Sequence, residues 1–267
     1  MNQKDYQKRL TAVYKDFWNT NGECQCFGEC RKNLKDELPK FRQDRARIGQ
    51  DYGEPDIPKI VCVGMEGKID KENLDDKKLL AKYLAPSPSA QNPHYNGVKF
   101  VLAYLLSSFC GKEKPSEPSL KNQICSEYNW TTSRYCLLNL YKCAFVPKSD
   151  PEKASGLTHT RDMRQNCPEI LLREFDALEP DAIVIQTTQF PNSFWRRLAE
   201  KYHLELLTGD GKKNNTSLYK GKYNDREILV VFTYHGASPR FRSKEYISGQ
   251  LTPVLDRTVA ELQKIYK

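Results

Sequence analysis

The chain has no run of roughly 18 or more apolar residues, so no transmembrane helix is expected. Its first residues, MNQKDYQKRL, are polar and lack the apolar core of a secretory signal; a cytoplasmic location is the expectation. No G-x-G-x-x-G follows an apolar strand, which argues against a dinucleotide-binding enzyme, and a P-loop is absent. Internal repeats and long low-complexity tracts are missing too. Histidine is scarce, with four residues in 267. Disulfide staples are not needed, because a chain of this length buries a sizeable core.

Charged residues make up 28% and the net charge is +8. A basic balance suits polyanions, above all nucleic acid, through counterion release, although a modest excess is equally at home on an ordinary solvated surface. Nine cysteines in a cytosolic chain point to ligands or buried thiols ahead of disulfides.

Helical periodicity runs over 4–19, with Leu10, Val13, Tyr14 and Phe17 on one face. The cysteine-rich GECQCFGEC (22–30) follows, then a charged stretch, 31–56, expected to be part helix and part loop. Apolar runs at 59–63, 135–140, 181–187 and 227–235 are four expected strands. Helices are expected at 97–109, 161–178, 193–202 and 252–266. The segment 85–93, APSPSAQNP, is a loop by its Pro and Ser content, and 211–215, GKKNN, is a basic candidate or a hairpin turn.

Apolar strands alternating with helices give an α/β class: a three-layer α/β/α domain around a central, mainly parallel four-stranded sheet. One domain is expected over 1–267, with an N-terminal helix and cysteine segment (1–56) and insertions near 111–131 and 144–160. Ligands of such sheets bind beyond the carboxyl ends of the strands. That rule selects Gly64-Met65-Glu66-Gly67, the strand containing Asn139 that runs out at Lys142-Cys143, and Tyr234-His235-Gly236.

These strand ends carry a pattern. LLNLYKCAF (137–145) resembles the asparagine–lysine–cysteine strand of the iron–sulfur (family 4) uracil-DNA glycosylases. CPEILLREFDALEPDAIVIQ (167–186) is similar to that family's second cysteine, helix and following strand, and HGASP (235–239) to the histidine motif of the superfamily. GMEGK (64–68) resembles the glycine-rich first motif, without its usual proline, and Gly236 stands where the family usually has proline. Cys24, Cys26 and Cys30 are the counterpart of the amino-terminal cysteine pair. The resemblance spans roughly 24–265 and rests on the order and spacing of motifs that are individually weak.

It implies a monofunctional glycosylase that flips a nucleotide out of DNA and hydrolyses its N-glycosidic bond, leaving an abasic site. Asn139 pairs with the base edge, because its amide both donates and accepts. A rotated amide would suit an aminopyrimidine equally well. Tyr95, in NPHYNG (92–97), stacks on the base from a loop before the helix; plain packing is an equal reading. His94 and Asn96 are weaker candidates. His235 donates to the base oxygen where charge develops. Glu66 orients or deprotonates water, with Asp70 as its alternate, and Gly64 and Gly67 permit a close backbone approach. Ser238, Arg240, Phe241 and Arg242 contact DNA, with Phe241 as a wedge between bases. His159 and His203 read as surface residues.

A structural [4Fe–4S] cluster is implied on Cys26, Cys30, Cys143 and Cys167, with Cys24 a substitute for Cys26. Zinc is the second choice for four thiolates. Cys62 and Cys136 read as buried free thiols inside apolar strands, while Cys110 and Cys125 lack partners. The expected partner is DNA, met by a monomer, with no membrane. Two other readings stand beside this one: a glycosylase for a bulky modified cytosine of phage DNA in antiviral defence, and a non-catalytic iron–sulfur module that binds nucleic acid.

Overall fold

The computed structural model describes residues 1–20, 24–32, 34, 37–41, 45–64, 93–116, 128–142, 144–147, 149, 160–186, 191–211, 216–236 and 238–267. Of 37–41, 93–96, 129, 144, 146–147 and 242 it describes the backbone alone.

The strands are β1 (Glu37–Phe41), β2 (Arg47–Ile48), β3 (Ile60–Gly64), β4 (Tyr135–Asn139), β5 (Ala144–Pro147), β6 (Ala182–Gln186), β7 (Glu205–Thr208), β8 (Ser217–Tyr223) and β9 (Arg226–Thr233). The helices are α1 (Gln3–Phe17), α2 (Phe27–Arg31), α3 (Pro93–Phe109), α4 (Asn129–Thr132), α5 (Arg161–Leu178), α6 (Asn192–Tyr202), α7 (Lys244–Tyr246) and α8 (Thr252–Ile265). A 3-10 turn, Arg240–Arg242, precedes α7, and a π turn, Ile247–Leu251, joins α7 to α8. Among the described residues no helix is long and apolar enough to cross a membrane.

The main sheet is mixed and has seven strands in the order β2-β4-β3-β6-β9-β8-β7. Its middle is parallel, β4-β3-β6-β9, and consists of the four apolar runs anticipated from sequence. Antiparallel β2 closes one edge, and β8 and β7 extend the other. The expected four-stranded sheet is therefore corrected to seven strands around a parallel core of four. The 31–56 stretch, expected to be helix and loop, holds β1 and β2, and β1 pairs with β5 in a separate two-stranded sheet.

Side chains alternate along the parallel strands, and both faces are covered. Val61, Val63, Cys136, Leu138, Ile183 and Ile185 pack in one apolar cluster with residues of α1, α5 and α6. Ile60, Cys62, Leu137, Val184, Leu229 and Val231 pack in another with residues of α3 and α8. Cys62 and Cys136 lie within these layers as buried free thiols.

Helix α3 begins four residues earlier than its apolar run suggested, because Pro93 fits the first helical position, where a missing N–H costs nothing. Tyr95 accordingly falls within the first turn of the helix and not in the preceding loop.

Candidate active site

The parallel pairing sets a row across the carboxyl rim of the sheet. Gly64 is the register partner of Asn139, and Gln186 that of Thr233. Val63 pairs with Ile185, so Gly64 and Gln186 are the next residues along their neighbouring strands. By strand alternation all four residues share the face covered by α3 and α8. Asn139 is 5% exposed and Gln186 fully buried.

His235 lies two residues beyond the end of β9, half-buried, and its carbonyl accepts from Ser238 N at 2.7 Å. Below it the chain is pinned by Tyr246: Tyr234 N donates to the Tyr246 hydroxyl at 3.2 Å, and that hydroxyl meets Thr216 Oγ1 at 2.5 Å. Burial pushes the Tyr246 phenol up to about 12, so it stays a neutral hydrogen-bonding post.

The start of α3 is brought against this loop. A Cβ on Gly97 would fall inside the van der Waals envelope of Gly236 Cα and 3.4 Å from Phe241 Cε1. Two glycines thus let the helix backbone and the histidine loop touch. Gln186 Nε2 donates to Gly97 O at 3.3 Å, tying β6 into the same junction.

The structure gathers Gly64, Asn139 and His235 at the carboxyl ends of β3, β4 and β9. Glu66, Gly67 and Asp70 lie outside the described residues, as do the side chains of His94, Tyr95, Asn96 and Arg242. Ser238 is half-buried beside His235, and Arg240 is exposed, with its guanidinium carbon 4.7 Å from the Tyr234 ring centroid. His203 is exposed, as anticipated, while His159 lies outside the described residues.

The wedge role expected of Phe241 is corrected. Its ring is 1% exposed and packs edge-to-face on Phe100, with centroids 6.4 Å apart, and against Tyr246 at 5.8 Å. Burying it contributes about 1.5–3 kcal/mol, which insertion between bases would forfeit. The 3-10 turn turns this ring inward while leaving Arg240 in solvent.

A second cluster lies on the other face. Cys24, Cys30 and Cys167 are buried in one apolar cluster, with Cys26 partly buried against it. Burial pushes the Cys24 thiol up to about 11, with the charges of Cys26 and Cys30 adding to the rise. Burial pushes Cys167 up to about 12, again with Cys30 and Cys24 adding. Lys142 N donates to Cys167 Sγ at 3.5 Å, and Phe145 stacks on Phe27 at 5.6 Å. Cys143, between those two anchored residues in sequence, lies outside the described residues, as does Cys125. Among the described residues, no three His, Cys, Asp or Glu side chains close on one ion's position. Cys110 is exposed.

Beneath the thiols sits a buried ion pair. Lys142 Nζ lies 2.6 Å from Glu174 Oε2, and both side chains are fully buried. Tyr14 donates to Glu174 Oε1 at 2.7 Å and accepts from Ala46 N at 2.6 Å.

Sequence reasoning missed Gln186, Gly97 and this Lys142–Glu174–Tyr14 chain. A glutamine closing an otherwise apolar strand was the available signal for the first. No family model and no curated protein matches the chain.

Proposed function

We propose that the chain is a monofunctional DNA glycosylase, related to the iron–sulfur uracil-DNA glycosylases, that takes a flipped nucleotide at the carboxyl rim of β3, β4 and β9. The observation that supports this reading is that Gly64, Asn139 and His235 all lie at or just beyond the carboxyl ends of the parallel strands, the place where parallel α/β sheets bind ligands.

In this reading Gly64 gives the base a close backbone approach, and the Asn139 amide pairs with its edge. His235 donates to the base oxygen as the N-glycosidic bond lengthens and charge flows onto the departing base. Water completes the hydrolysis at the sugar, with Glu66 as the acidic residue assigned to it and Asp70 as its alternate. Exposed Arg240 meets a phosphate. The test is base release from single- and double-stranded oligonucleotides carrying uracil, hypoxanthine or modified cytosines. Release of at least one base with an abasic product is expected. Tight DNA binding with no release from any of them leaves only a binding module.

The grouping of Cys24, Cys30 and Cys167 in one apolar cluster, with Cys26 packed against it, supports a thiolate metal centre there. Cys30, Cys167, Cys143 and either Cys26 or Cys24 would hold a [4Fe–4S] cluster, which would pin the 24–31 segment to α5 and leave the hydrolysis to side chains. The purified protein is expected to be brown, with broad absorbance near roughly 400 nm and stoichiometric iron and sulfide. Cys167→Ser should lose colour and iron together. Zinc in place of iron, in colourless protein, would refute the cluster.

A further inference from the structure

Gln186 is a fully buried carboxamide with one half in use. Its Nε2 donates to Gly97 O, whereas its Oε1 has no hydrogen-bond partner among the described residues. The amide orientation follows from that bond, since flipping it would set two carbonyl oxygens against each other. The hydroxyl of its register partner cannot serve the free oxygen, because Thr233 Oγ1 donates to Tyr234 O at 3.2 Å. A buried acceptor left unmade costs about 1–3 kcal/mol, so native structures rarely keep one without a role.

The row across the rim suggests that role. Asn139 and Gln186 stand two strands apart, with Gly64 between them contributing no side chain. Neighbouring strands are about 4.8 Å apart, so the Cα atoms of the two carboxamide residues stand about 10 Å apart on either side of Gly64. That width takes a single nucleobase edge.

We propose that Gln186 Oε1 is a specificity-determining acceptor for an exocyclic amine on the bound base, favouring an aminopyrimidine over uracil. The inference rests on the glycosylase reading and deepens it. An aminopyrimidine presents an amine with two hydrogens beside a ring nitrogen that accepts. Asn139 takes one hydrogen and donates to the ring nitrogen, and Gln186 takes the other hydrogen. Uracil would turn its O4 toward Gln186 Oε1, lone pair against lone pair, and leave the acceptor unmet.

The experiment compares paired oligonucleotides carrying uracil or 5-hydroxymethylcytosine with wild type, Gln186→Met and Gln186→Glu. Melting temperatures serve as the folding control. The wild-type kcat/KM ratio should favour the amine-bearing base and fall roughly tenfold or more in Gln186→Met, which removes the acceptor. Gln186→Glu keeps an acceptor while losing the bond to Gly97 O, and should retain the preference. An equal loss of the preference in both variants, or no change in either, would assign Gln186 to packing and leave the glycosylase intact. If wild type releases neither base, the glycosylase reading fails by itself. Equilibrium binding of the same oligonucleotides then decides: a preference for the amine that Gln186→Met abolishes upholds the acceptor, and the absence of a preference overturns it.

Discussion

Lys142→Ala is expected to destabilise the protein by about 3–5 kcal/mol, a fall of roughly 10 °C or more in melting temperature. Both members of the Lys142–Glu174 pair are fully buried, so removing the ammonium strands a carboxylate in an apolar layer. The hydroxyl of Tyr14 already serves Glu174 Oε1 and cannot replace the lost charge. Swapping both partners for apolar residues, Lys142→Met with Glu174→Leu, should recover most of the loss, because buried ion pairs offset little beyond their own desolvation. Thermal and urea unfolding of the wild type and the two variants would measure it. A double variant no more stable than Lys142→Ala would refute the account.

The central strands were legible because each is buried on both faces, and such strands are nearly continuous apolar runs. IVCVG, YCLLN, AIVIQ and the apolar part of REILVVFT announce themselves in this way. The edges do not. β7 is exposed along ELL, β8 mixes buried Leu218 with exposed Lys222, and β2 is two residues long. Their pairing is set by partners that no local pattern names, as with β1 on β5.

The site was legible to the same extent. Asn139 and His235 sit where apolar strands end, and strand ends can be counted. Phe241 misled, because an aromatic between two arginines looks solvent-facing while the turn geometry that buries it is tertiary. Lys142 drew no reading of its own. A lysine is rarely buried without a partner, and its partner is carried by α5, on a different stretch of sequence.

Gly97→Ala is expected to lower base release by about two orders of magnitude, close to the loss from His235→Ala itself. The added methyl would overlap the backbone of Gly236 and press on Phe241, and neither can yield as a flexible side-chain tip would. Phe241 is held between Phe100 and Tyr246, and Tyr246 in turn holds Tyr234 N, so strain at Gly97 is expected to pass through Gly236 to His235. A displacement on the scale of 1 Å is enough to misalign a hydrogen-bond donor from a developing oxyanion and cost about 10²-fold. Overpacking would also lower stability by about 1–3 kcal/mol. Base-release rates for Gly97→Ala, His235→Ala and the double variant test the coupling, with the double variant expected to be no slower than His235→Ala alone. Multiplying losses would mean that Gly97 acts elsewhere, and full activity in Gly97→Ala would break the proposed link between helix α3 and His235.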